Sequence, residues 1–310
     1  MHARMPVLVA VLAAALGLAV AFMFTGLGAE APGSAPAAGA LDAAKACTVS
    51  PGTTVRVSVP VAGQPARSAL VHVPKGRRGR VPLVVALHGS HRNGAFMERY
   101  SGLSRLADRE RFGVVYPDAA GPRWRISAGE DGADVQFLDV LLDHVLAGGC
   151  FDDRRVAAVG VSNGAGMAAR FACAGDDRLA GLVAVAGDYA HLPACRARRP
   201  LSVLEIHGTA DAVVPYGGTS QNPRGEVLTW LSAWAGRDAC RGVPRLVRQS
   251  ARVVRLDWTE CRDGTSVAHL RLVGGAHAWP GADPPDPGPQ LGVSATDEAW
   301  SFLRDRQRSP

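Results

Sequence analysis

The chain has 310 residues, 47% hydrophobic and 20% charged, which is enough apolar material for a sizeable core and excludes a disordered chain. The formal net charge is +6, but the basic residues are almost all Arg and scattered. They cluster only at Arg77, Arg78 and Arg80 and at Arg196, Arg198 and Arg199, without interleaved aromatics, whereas a nucleic-acid partner calls for a basic stripe on a recognisable module.

The N-terminus carries its own message. His2 and Arg4 precede an apolar run from Pro6 to about Gly28, and small residues and prolines follow as far as Ala38-Gly39-Ala40. Charge, apolar core and small residues in that order describe a secretory signal, with Ala38-Gly39-Ala40 the best cleavage site; Ala29-Glu30-Ala31 also fits, but Pro32 follows it directly. The run also approaches the roughly 20 residues that span a bilayer. Residues 1–40 are therefore read as a signal peptide or a membrane anchor, with a membrane partner expected only if the segment is retained. Both readings export the domain, to the extracellular space or to the cell surface. Residues 41–52 read as a linker and 53–306 as one catalytic domain.

An exported chain uses its cysteines for structure. Six are present, Cys47, Cys150, Cys173, Cys195, Cys240 and Cys261, with no CxxC spacing for a metal. Cys240–Cys261 is the favoured pair because it joins a helix end to a strand end, in a loop worth about 3 kcal/mol in the chain-entropy picture. Cys173–Cys195 comes second, which leaves Cys47–Cys150 by elimination.

In chain order, Thr53–Val59 and Ser68–Val73 alternate polar and apolar around Gly63-Gln64-Pro65, as an antiparallel hairpin does. Leu83–Leu87 is a continuous apolar run, the mark of a strand buried on both faces of a parallel sheet. A helix over Gly102–Arg111, a strand at Val114–Tyr116 and a helix over Ala133–Ala147, ended by Gly148-Gly149, come next. Arg155–Val161 reads as a buried strand and Asn163–Ala174 as a helix of small residues. Strands at Leu182–Val185 and Leu201–Ile206, a helix over Glu226–Ala235, and a strand pair Val253–Trp258 and Val267–Val273 around Asp263-Gly264 complete the sheet. A proline-rich loop, Pro280 to Pro289, leads to a last helix, with Ser294 and Asp297 as a capping box. Strand and helix alternating after an antiparallel start predict an α/β fold with a doubly wound, mostly parallel sheet.

Chemistry enters at Gly160-Val161-Ser162-Asn163-Gly164. A serine between glycines at a strand-to-helix junction fits G-x-S-x-G, the nucleophile elbow, where a sharp turn lifts the hydroxyl clear of the sheet. A serine hydroxyl needs a base, and the base needs an orienting carboxylate. Leu201–Ile206 runs into His207-Gly208-Thr209-Ala210-Asp211, and Val267–Val273 runs into Gly274-Gly275-Ala276-His277. Ser162, Asp211 and His277 thus stand in the order Ser, Asp, His, each beyond a strand end, although Asp188 is a rival carboxylate. The oxyanion hole would combine the Asn163 N–H with one from Leu87-His88-Gly89-Ser90, for which Ser90 is preferred to Gly89. His88 and His207 read as structural loop residues, and no HExxH or His/Cys cluster points to a metal.

Four motifs, Leu87-His88-Gly89, Gly160 to Gly164, His207 to Asp211 with Val214-Pro215-Tyr216, and Gly274-Gly275-Ala276-His277-Ala278-Trp279-Pro280-Gly281, resemble the esterase family of polyhydroxybutyrate depolymerases, which includes feruloyl and acetylxylan esterases. The resemblance spans about Thr53 to Arg304. It implies a secreted serine esterase of α/β-hydrolase fold without metal or organic cofactor, in which Trp279 and Tyr216 line the substrate cleft. Two departures stand out: Ser90 replaces a cysteine found there in many members, and Trp124-Arg125-Ile126-Ser127 lacks a fuller aromatic pattern. With only a few residues after Arg304 and no polymer-binding module read there, small or oligomeric esters are the expected substrates. A catalytically silent binding protein on the same fold, and more remotely a serine peptidase, are the rival functions.

Overall fold

Two antiparallel strands, β1 (Thr53–Val59) and β2 (Arg67–Val73), pair from Thr53↔Val73 to Val59↔Arg67. The structure is a computed structural model and describes residues 47, 49–175, 177–219, 226–286 and 288–308. The segment 1–40, read as signal or anchor, lies outside them, as does much of the 41–52 linker. Among the described residues no helix is long and apolar enough to cross a membrane.

From β3 (Val81–Leu87) onward the chain alternates strand and helix: α1 (Gly94–Ser101), α2 (Leu103–Glu110), β4 (Gly113–Pro117), α3 (Ala133–Ala147), β5 (Phe151–Val161), α4 (Asn163–Ala172), β6 (Gly181–Val185), β7 (Ser202–Gly208), α5 (Val227–Arg237), β8 (Arg245–Arg248), β9 (Val253–Trp258), β10 (Val267–Leu272) and α6 (Ala295–Leu303). The strands form a 10-stranded sheet of order β1-β2-β4-β3-β5-β6-β7-β10-β9-β8. The run from β4 to β10 is parallel, and both edges are antiparallel. This is the expected α/β-hydrolase architecture with its antiparallel N-terminal pair.

Period-2 alternation divides the core. β3 sends Leu83, Val85 and Leu87 to one apolar cluster, with α3, α4 and α5, and Val84 and Ala86 to another, with α1, α2 and α6. Both faces of the parallel run are thus covered, which is why its strands read as unbroken apolar stretches. The turn between β9 and β10 places Asp263 and Gly264 at φ 56° and 69°, the positive values that an Asp-Gly turn supplies. Ser294 Oγ accepts from the Asp297 N–H at 3.2 Å, as a cap should.

All three expected disulfides are present: Cys47–Cys150, Cys173–Cys195 and Cys240–Cys261. Two elements escape the sequence. α1 buries only Gly94, Met97 and Ser101, too few for a helical period to show. β8 is a largely exposed edge strand.

Candidate active site

Parallel pairing brings the ends of distant strands to one edge of the sheet. Leu87 of β3 pairs with Gly160 of β5, Val161 of β5 with Val185 of β6, and Gly208 of β7 with Leu272 of β10. The loops bearing Ser90, Ser162, Asp211 and His277 therefore all leave the carboxyl edge. The sheet order reverses at β3, which has β4 on one side and β5 on the other, and such a switch point is where open α/β sheets hold their ligands.

Ser162 sits at φ 57°, ψ −124° as the N-cap of α4, a strained position that side chains rarely adopt. The flanking glycines make that turn possible. A Cβ on Gly160 would lie 2.2 Å from the Gly164 carbonyl oxygen, and one on Gly164 would lie 2.3 Å from the Leu87 oxygen and 2.4 Å from the His88 oxygen. Gly164→Ala is expected to cost about 1–3 kcal/mol and to lower ester turnover at least tenfold, because the loop after β3 must retreat from the elbow. Thermal unfolding and an esterase assay on the same preparation check this.

Asp211 is buried where it meets His277, whose Nδ1 lies 2.7 Å from Asp211 Oδ2. The other carboxylate oxygen accepts from the N–H groups of Val213 at 2.9 Å and Val214 at 2.8 Å. Burial alone would raise this carboxyl, but hydrogen bonds from His207, His277 and Val214 hold it well below the usual carboxylate range. The rival Asp188 accepts from the Ala190 N–H at 3.3 Å.

His207 does more than shape a loop. Its Nε2 lies 3.2 Å from Asp211 Oδ2, and its Nδ1 lies 2.8 Å from Oε1 of the fully buried Glu205. Burial pulls against the cation, yet Glu205 and Asp211 outweigh it and raise His207 from 6.5 to about 10. The native state thus keeps a proton that the unfolded chain gives up above its ordinary pKa. The stabilisation is complete below about pH 6.5 and vanishes as pH rises through about 10. Unfolding temperature is expected to fall across that window, by up to about 1.4 kcal/mol of stability per pH unit from this one group. Scanning the unfolding of the native chain and of His207→Gln measures the difference, and the variant should flatten the slope.

The oxyanion candidates come together from β3 and α4. A Cβ on Gly89 would stand 3.4 Å from Ser162 Cβ, so the Ser90 turn lies against the elbow. Asn163 opens α4, where the first N–H groups of a helix have no partner within it. Its side chain is spent elsewhere: Oδ1 accepts from the Trp124 N–H at 2.7 Å, and Nδ2 donates to the Trp124 carbonyl at 3.2 Å. Trp124 Nε1 donates to the His88 carbonyl at 2.9 Å. His88 Nε2 accepts from the Ala119 N–H at 3.1 Å, so its Nδ1 carries the proton and donates to Gly89 O at 2.8 Å. The imidazole is neutral, with burial holding it down. Asn163, Trp124 and His88 thus brace the loop after β3; the sequence shows the three in separate stretches, and nothing in their spacing links them.

The two residues placed on the cleft wall by resemblance fare differently. Trp279 is 0% exposed, its indole N–H donates to Thr296 Oγ1 at 3.0 Å, and its ring packs in the apolar cluster shared with α1, α2 and α6. Its backbone N–H meets the Tyr100 hydroxyl and Asp286, both at 2.9 Å, which ties down the loop that bears His277. Tyr216 is half-buried with its hydroxyl 2.9 Å from His269 Nε2. Among the described residues no group of His, Cys, Asp or Glu is arranged to hold a metal.

The family model described as "Esterase PHB depolymerase" matches residues 67–215. The "Putative esterase NocK" of Nocardia uniformis subsp. tsuyamanensis is 30% identical over 82% of this chain and 84% of its own length. Feruloyl esterase B of Piromyces equi is 29% identical over 68% of this chain and 42% of its own length. Among solved structures, an acetyl xylan esterase from Aspergillus awamori superposes with a TM-score of 0.62 over 82% of this chain and 99% of its own, at 15% identity, a likeness of fold. A parallel sheet with its switch point at β3, a relative of this identity over most of both chains and the matching family model lead to one conclusion: the chain belongs to the Esterase PHB depolymerase family and is a carboxylic ester hydrolase.

Proposed function

We propose that Ser162, His277 and Asp211 form the triad of a secreted esterase acting through an acyl-enzyme. The observation that carries this reading is the 2.7 Å contact between His277 Nδ1 and Asp211 Oδ2. A carboxylate only accepts, so the proton sits on Nδ1 and leaves the Nε2 lone pair free to act as base. Ser162 Oγ attacks the ester carbonyl and gives its proton to Nε2. The N–H groups of Ser90 and Asn163 hold the oxyanion, each such donor being worth about 2.7–4 kcal/mol of barrier. The protonated His277 then releases the alcohol, and a water activated by the same nitrogen clears the acyl group. Three disulfides suit an oxidising compartment, in keeping with residues 1–40 as an export segment and 53–306 as the catalytic domain.

The substrate class proposed is small or oligomeric carboxylic esters, of hydroxybutyrate, feruloyl or acetyl type, in line with the names of the relatives. Turnover of hydroxybutyrate oligomers, methyl ferulate, acetylated xylan and simple acyl esters, compared with turnover of solid polyester film, tests it. The highest kcat/KM is expected on a soluble ester. Efficient film hydrolysis with inert soluble esters would overturn the substrate class.

A further inference from the structure

The mechanism above places one imidazole on Asp211, and the fold supplies two. Glu205 and His207 lie two residues apart on β7, so their side chains share one face of the strand, and Glu205 is in register with His269 of β10. Glu205 Oε1 accepts from His207 Nδ1 at 2.8 Å and from the Tyr189 hydroxyl at 3.3 Å. Glu205 Oε2 lies 2.9 Å from His269 Nδ1. On its other side, His207 Nε2 meets the Val214 carbonyl at 3.0 Å and Asp211 Oδ2 at 3.2 Å. The Tyr216 ring stands edge-on to His207 at 5.9 Å between centroids, with its hydroxyl on His269, and Arg271 reaches Tyr216 from β10. Among the described residues, the partners of the two His207 nitrogens are carbonyl or carboxylate oxygens. A neutral ring would aim a lone pair at an acceptor, so both nitrogens carry protons.

We propose that His207 is a positioning residue for the hydrolytic site: a buried imidazolium, clamped between Glu205 and Asp211, that fixes the Asp211 carboxylate and offsets part of its charge. The proposal rests on the triad reading of Ser162, Asp211 and His277. Glu205 is what allows the cation in a site closed to water, since an isolated buried imidazolium would lose its proton. With Oδ1 taken by the Val213 and Val214 N–H groups and Oδ2 shared by two rings, the carboxylate has one orientation, the one facing His277. The cation also weakens the pull of Asp211 on the proton that His277 acquires. Removing it leaves a full negative charge beside His277, which favours the protonated ring and so blocks the base at higher pH.

The test is the pH dependence of kcat and KM on a soluble p-nitrophenyl ester for the native chain, His207→Gln and the double variant Glu205→Gln/His207→Gln. The double variant keeps hydrogen-bonding groups and leaves no uncompensated buried carboxylate at Glu205 should the single one fail to fold. In both variants the acid limb is expected to move up by about one pH unit. KM should stay within about twofold because His207 touches no substrate, while kcat falls by about tenfold or less. A role confined to structure would lower the unfolding temperature and leave the acid limb in place, and that result in a folded variant overturns the proposal. Fluorophosphonate labelling of Ser162 in the native chain separates the two failures. Labelled Ser162 with an unmoved limb sinks only the role of His207, whereas unlabelled Ser162 sinks the triad reading and this proposal with it.

Discussion

Ser162→Ala should abolish hydrolysis of short p-nitrophenyl esters, a fall of about 10⁵-fold or more in kcat, while the unfolding temperature stays within a few degrees of the native chain. The size follows from the role: the hydroxyl forms the bond that splits one difficult displacement into two easier ones, and removal of a triad serine costs on the order of 10⁶ elsewhere. The fold should be indifferent, because alanine keeps the Cβ of serine and can occupy the same φ 57° backbone position. The Ser162 N–H still donates to the Val185 carbonyl, at 2.9 Å, and its carbonyl still accepts from Ala165 and Gly166. Residual turnover within about a hundredfold of the native rate would mean that another group is the nucleophile.

Asp211→Asn should lower kcat by about 10⁴-fold, with KM little changed. The reasoning is one of donors and acceptors. The oxygen that accepts from the Val213 and Val214 N–H groups must remain an oxygen, so the new amide NH₂ takes the place of Oδ2. There it faces His277 Nδ1, now 2.7 Å from an acceptor, and His207 Nε2 at 3.2 Å. A donor in that place drives the His277 proton to Nε2, the nitrogen that has to act as base. The variant should be folded and nearly inert, and kcat on a soluble ester with the unfolding temperature measured alongside decides it. Activity within tenfold of the native chain would remove Asp211 from the triad.

Much of this was legible in one dimension. Buried parallel strands announce themselves as Leu83–Leu87 and Leu201–Ile206 because both of their faces are covered. The elbow announces itself because backbone atoms crowd both glycines to within about 2.2–2.4 Å of a Cβ, which leaves no other residue for those positions. What stayed hidden was the direction of side chains. Trp279 lies two residues beyond His277 in a loop without period, and only α6 packing overhead, with Thr296 at 3.0 Å, turns its indole into the core. Glu205 interrupts the apolar run of β7, a visible oddity, but besides His207 its partners come from β10 and from the loop after β6. The clue available was the spacing Glu205, His207, Asp211: a histidine with one acid two residues before it on the same strand face and another four residues after.

In the proposed triad Ser162 is the nucleophile that becomes acylated. The most direct measurement treats the folded protein with a fluorophosphonate and locates the adduct by peptide mass spectrometry. One equivalent on the peptide containing Ser162, absent from Ser162→Ala and strongly slowed in Asp211→Asn, is the predicted result. An adduct on a different residue, or none while ester hydrolysis continues, would contradict it.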